Sequence, residues 1–253
     1  MRAGVFPALI MTMAAAMALT AAAAETPSPG DVEQGVIDAA NDFRADNGLG
    51  RLAENHVLSS DARAFAAYMA RTDRFSHTAD GRDAGGRAQA VGYDYCDLSE
   101  NIAVEEGYPA ERLARQFMTG WENSPGHRRN LLDSRVTETG VGVARAPGAI
   151  RRYFAVQVFG RPGAARYSFR VENQSNQTVG FTFEGEHHRL EPLSGLTHTT
   201  CAAGDLVFDS DTATGHLNYA VTPGATFVLS SPYKDVQIEV QRPAPPRGRP
   251  KED

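Results

Sequence analysis

The hydrophobic period of this chain changes once, near Arg161-Pro162-Gly163, and that change constrains the fold more than any other feature. Before it, helical spacing dominates. Val32, Val36, Ile37, Ala40 and Phe43 line one face of a helix running from Asp31 to about Asn47, where Asn47-Gly48 is a natural stop. A second helix is expected over about Val57 to Arg71, from Leu58, Ala62, Phe65 and Met69, and a third, short one near Gly86–Val91. Pro109 opens a fourth, with Leu113, Ala114, Phe117, Met118 and Trp121 on one face. Ser124-Pro125 reads as an N-cap followed by proline in the first turn of a fifth, in which the serine hydroxyl is expected to bond backbone amides. Strands are expected at Leu98–Val104, Gly140–Arg145 and Tyr153–Phe159.

After the change, only short β-rich runs occur, separated by Gly, Pro, Asn and Asp. They are Tyr167–Glu172, Val179–Glu184, Leu206–Phe208, Leu217–Val221, Thr226–Leu229 and Val236–Val240. Such a series predicts a small antiparallel β-sandwich over 165–242. The Pro- and charge-rich tail, 243–253, is expected to be disordered. The 253 residues allow one or two domains, and a net charge of −6 removes the electrostatic drive for nucleic-acid binding.

Residues 1–24 carry one charge, Arg2, then an apolar Ala- and Met-rich run ending in Ala22-Ala23-Ala24. That pattern predicts a signal peptide, with Glu25 as the mature start and no stable membrane span after cleavage; the competing reading is a membrane anchor. The expected compartment is outside the cytoplasm, periplasmic or extracellular. There, Cys96 and Cys201 are able to pair, closing a long loop, or to remain two free thiols.

Several short segments then occur in order: Asn41-x-x-Arg44, Phe75-Ser76-His77-Thr78, Ser99-Glu100-Asn101-Ile102-Ala103 and Trp121-Glu122-Asn123-Ser124-Pro125-Gly126-His127-Arg128. Asn130-Leu131-Leu132, Gly140-Val141-Gly142-Val143-Ala144 and Val156-Gln157-Val158-Phe159-Gly160 follow. The series resembles the CAP superfamily, or SCP domain, in its bacterial secreted branch, over about Val32 to Gly160. The resemblance implies an α+β fold, with a three-layer α-β-α sandwich over 31–161 preceding the β-rich part. It also implies a cleft that in many members holds two histidines and two acidic residues, sometimes with a bound divalent metal.

Residue by residue, the histidines correspond to His77 and His127 and the first acidic residue to Glu100. The second acidic position is occupied by Ser124, and neighbouring Glu122 points about 100° away from Trp121 around the helix. His77, His127 and Glu100 are a reasonable ligand set for zinc or another divalent ion; the alternative is a buried polar network. The expected role is binding of a small molecule, a lipid or an extracellular protein partner. A metal-assisted hydrolase acting through the same residues is the runner-up. Ser124 and His127 lie three apart, but no G-x-S-x-G elbow accompanies them. Phe65, Met69, Phe117 and Met118 read as core, and His56, His187, His188, His198 and His216 form no ligand-type cluster.

Overall fold

A capping box starts the first helix: Ser28 Oγ accepts from Asp31 N–H while Asp31 reaches back to the Ser28 amide. The computed structural model describes residues 27–201, 203–211, 213, 215, 217–231 and 235–243. The expected signal peptide, His216 and nearly all of the expected disordered tail lie outside those residues.

The helices are α1 (Pro29–Asp46), α2 (His56–Thr72), α3 (Ala84–Ala90), α4 (Ala110–Asn123) and α5 (Pro125–Leu131). The first sheet is built from β1 (Ala53–Glu54), β2 (Tyr95–Glu106), β3 (Glu138–Arg145) and β4 (Arg152–Pro162), in the order β1-β3-β4-β2. Strand β4 shows why helices cover both faces. Ala155 and Phe159 enter a core with Val36, Phe117 and Trp121 of α1 and α4, whereas Phe154, Val156 and Val158 enter one with Leu58, Phe65 and Met69 of α2. Period-two alternation with apolar residues on both faces demands a cover on each, and three layers result.

Gly140 and Gly142 of β3 set how closely α2 approaches. A Cβ on Gly142 would lie 2.1 Å from Arg63 N, and one on Gly140 would lie 2.2 Å from Ser59 N. The helix backbone therefore rests directly on the strand, where only glycine leaves room.

The change of period falls on a short 3-10 turn, Gly163–Ala165. Beyond it come β5 (Tyr167–Asn173), β6 (Val179–Phe183), β7 (Glu186–Leu190), β8 (Ser194–Thr200), β9 (Asp205–Phe208), β10 (Asn218–Ala220), β11 (Thr226–Ser230) and β12 (Gln237–Gln241). They form two sheets, ordered β10-β9-β6-β7 and β12-β11-β5-β8, around a core of their own that includes Phe169, Phe181, Phe208 and Phe227. The sandwich matches expectation with one departure: β5 and β11 pair in parallel. Strands β7 and β8 are additions, joined to their neighbours through positive-φ residues at Glu184-Gly185 and Leu193. Cys96 and Cys201 are bonded, linking β2 to the end of β8.

Candidate functional site

Strand β2 places the site because it lies at the edge of its sheet and alternates sides. Leu98, Ile102 and Val104 face the α2 and α3 layer, so Glu100, in phase with them, faces it too. Its carboxylate is buried, with only 3% of the side chain exposed. Two groups satisfy it. His77 Nδ1 lies 2.7 Å from Oε1, and Arg87 Nη2 donates to Oε2.

Arg87 comes from α3, a helix started by Asp83, whose side chain accepts from Gly86 N–H. Its guanidinium is as buried as its partner and sits 3.5 Å above the centre of the Phe65 ring. Nη1 donates to the carbonyls of His77 and Arg82, each at 2.9 Å. One cation thus holds both the carboxylate that receives the His77 ring and the backbone that carries that ring. A carboxylate only accepts, so the shared proton belongs on Nδ1, and Nε2 is the ring nitrogen left open, an acceptor in the neutral ring and a donor in the charged one. The imidazole itself is about half exposed, 52% by side chain.

His127 approaches from α5, which is fastened to β2 by amides. Asn101 Nδ2 donates to the His127 carbonyl at 3.2 Å. Asn130 Nδ2 donates to Asn101 Oδ1 at 2.9 Å and to the Glu100 carbonyl at 3.2 Å. Trp121 Nε1 adds a bond to Ile102 O at 3.1 Å, from the end of α4. Partial burial and the charge of nearby His77 together lower the pKa of His127 below its usual value, so its neutral form is favoured.

The predicted site residues separate into two sets. His77 and Glu100 meet directly, and His127 is their electrostatic neighbour. Glu122 and Ser124 make no hydrogen bond or ion pair to any of those three among the described residues. The expected Ser124 side-chain cap is also not formed. Ser124 serves two helix ends at once, its amide donating to Trp121 O, and its hydroxyl makes no capping bond to α5. Arg87, which completes the site, carried no motif; the only signal was an Asp83 cap placing a charged residue in a short, glycine-rich helix.

Both Glu100 oxygens are engaged, so a divalent ion would have His77 Nε2 and His127 as its direct ligands, and among the described residues no three His, Cys, Asp or Glu side chains converge on an ion. Phe65, Met69, Phe117 and Met118 are all buried in the two cores. Among the described residues, no helix is long and apolar enough to cross a membrane.

Residues 37–159 match the family model described as the cysteine-rich secretory protein family, CAP. The chain is 31% identical over 121 residues to the uncharacterized protein YkwD of Bacillus subtilis (strain 168), covering 46% of this chain and 45% of that one. It is also 31% identical over 118 residues to the uncharacterized membrane protein YlbC of the same organism, covering 45% and 32%. It therefore spans less than half the length of either relative. Similar solved structures include an extracellular protein containing an SCP domain from Bacillus anthracis, at 28% identity and TM-score 0.44, covering 53% of this chain and 41% of that one. Another is an outer surface protein of Borrelia burgdorferi, at 18% identity and TM-score 0.47, covering 55% and 98%.

Proposed function

Because the chain belongs, through residues 37–159, to the cysteine-rich secretory protein (CAP) family, we propose that it is an exported binding protein whose ligand or extracellular partner engages His77 and His127. The observation that carries this reading is the pairing of Glu100. Its two oxygens are engaged by His77 and Arg87, so its charge is compensated by a buried guanidinium and it orients an imidazole. What remains presented is the open Nε2 of an oriented His77 ring beside a His127 whose neutral form is favoured, a pair suited to hydrogen-bonded recognition. Export is supported by the leader pattern of residues 1–24 and by the Cys96–Cys201 bond, which persists in oxidising compartments.

The test compares the purified, disulfide-intact chain with a His77→Ala/His127→Ala variant. Bound metal is measured by elemental analysis, co-purified lipid by solvent extraction, and turnover with ester and peptide substrates. Binding by the site predicts no turnover in either protein, negligible metal in both, and loss of captured ligand or partner only in the variant. Metal-dependent hydrolysis by the wild type that the variant lacks overturns it in favour of the hydrolase.

A further inference from the structure

A cavity of about 250 Å³ lies beside α2, lined in part by Arg87 and by two residues that hold it, Phe65 and Arg82, and by neither His77 nor His127. One wall is a single stripe of α2, Asp61, Phe65, Tyr68 and Arg71, spaced four, three and three residues apart. The other wall is Asp80 and Arg82 from the loop before α3.

Asp61 is the unusual member. It is 5% exposed, lines the cavity, and its Oδ2 has no hydrogen-bond partner among the described residues. Asp80, by contrast, is engaged by Arg82 at 3.1 Å and by Arg87 at 3.4 Å. An unpartnered carboxylate oxygen at this depth costs stability, and nearly all such atoms in folded proteins find a donor. Farther along the same stripe, Arg71 is in a complementary state. Its guanidinium lies 5.5 Å from the centre of the Tyr68 ring, and it makes no ion pair or hydrogen bond among the described residues. The stripe thus carries a buried carboxylate with an unpartnered oxygen and an uncommitted planar donor, with Phe65 and Tyr68 between them in sequence.

We propose that this cavity binds a small zwitterion of the amino-acid class, with Asp61 receiving the ammonium group, Arg71 the carboxylate, and Tyr68 and Phe65 the side chain. The volume restricts the ligand to that size, since drug-sized ligands occupy about 300–1,000 Å³. Arg–carboxylate pairing is planar and two-pronged, which the guanidinium of Arg71 is free to make. The site is distinct from the histidine pair and stands whether or not the binding role proposed for that pair holds.

Calorimetric titration of the full chain with three probes tests it: L-phenylalanine, phenethylamine, which lacks the carboxylate, and 3-phenylpropanoate, which lacks the amine. The expected result is saturable binding of L-phenylalanine, with each analogue weaker by about tenfold or more, the loss typical of one charged hydrogen bond. Asp61→Asn should remove the preference over 3-phenylpropanoate, and Arg71→Ala the preference over phenethylamine. His77→Ala should leave all three titrations unchanged. No binding, equal binding of all three probes, or L-phenylalanine affinity unchanged in both cavity variants overturns the proposal. Arg71 is exposed and its replacement leaves the core intact, so a folding failure of the Asp61 variant still leaves a decisive measurement.

Discussion

Asp61 buries a carboxylate whose burial outweighs its attraction to Arg87 and Arg82, with Glu100 and Asp80 adding repulsion, and its pKa is pushed up to about 6 from an ordinary 3.8. The folded state therefore holds this proton more tightly than the unfolded chain. Stability from this group is fully present below about pH 4 and is lost as pH rises through about 6, an effect on the order of 3 kcal/mol. Asp61→Asn should raise the thermal midpoint at pH 7.5 and do much less at pH 4, read by calorimetry at both values; equal shifts at the two would show that desolvation is not the cause. The Glu100–Arg87 pair behaves oppositely. Glu100→Gln leaves a buried guanidinium without its closest anion and should cost about 3 kcal/mol. The low end of the range applies because Asp80 and two carbonyls still contact Arg87. His77→Ala removes a half-exposed ring and should cost far less, so denaturant midpoints of the two variants separate a structural partner from a presented one. Nitrogen-detected titration of the imidazoles should place His127 below the usual histidine range, and His77→Ala, by removing the neighbouring charge, should bring it part of the way back up.

Between strand and helix, glycine decides the packing, and it does so at some positions and not others. Gly142→Ala places a methyl 2.1 Å from one backbone atom of α2 and 2.2 Å from another, so the layer must shift; a loss of at least about 3 kcal/mol is expected. Gly120, exposed within α4, has nothing within 4 Å of a new Cβ, and alanine there should stabilise by about 0.5–1 kcal/mol. Paired urea denaturation of the two variants reads both signs. The same contrast explains what was legible in the sequence. Helices α1, α2 and α4 could be read because each carries an apolar stripe that one core consumes, α5 from its Ser124-Pro125 start, and β3 and β4 because their alternation is strong. Strands β7 and β8 were missed because both are polar edge strands: Glu186–Leu190 has no β-branched residue, and in Ser194–Thr200 the β-branched residues are all threonines, with one apolar side chain, Leu196, to mark the run. In the site, His77, Glu100 and His127 were found through motif order. Arg87 and Asp61 were not, because burial of a charged residue depends on which elements meet over it, and no local spacing encodes that.

Across the whole molecule, the two sets of layers keep separate apolar cores and meet at a pinned junction. Arg166 pairs with Asp94 at 2.8 Å and donates to Tyr95 O, the Gly163 amide donates to Asp94 O at 2.9 Å, and Cys96 lies two residues from Asp94. The disulfide therefore acts differently on different unfolding events. When the entire chain unfolds, it closes a loop spanning 105 residues of sequence separation, stabilising by roughly 4–5 kcal/mol in the chain-entropy model. When the β-sandwich alone unfolds, the junction still holds Gly163 beside β2, so the closed loop is only roughly 40 residues and the effect falls to about 4 kcal/mol. Because the dependence on loop length is logarithmic, the crosslink protects the sandwich nearly as well as it protects the whole chain. Cys96→Ser/Cys201→Ser should consequently lower the transition of the sandwich most visibly, since a small β module has less burial of its own to resist with. Near-native signals from the imidazoles of His77 and His127 should survive in the variant at temperatures where the sandwich aromatics Phe169, Phe181 and Phe208 have lost theirs. Simultaneous loss of both sets of signals would mean that the two cores unfold as one unit and that the bond joins what packing already couples.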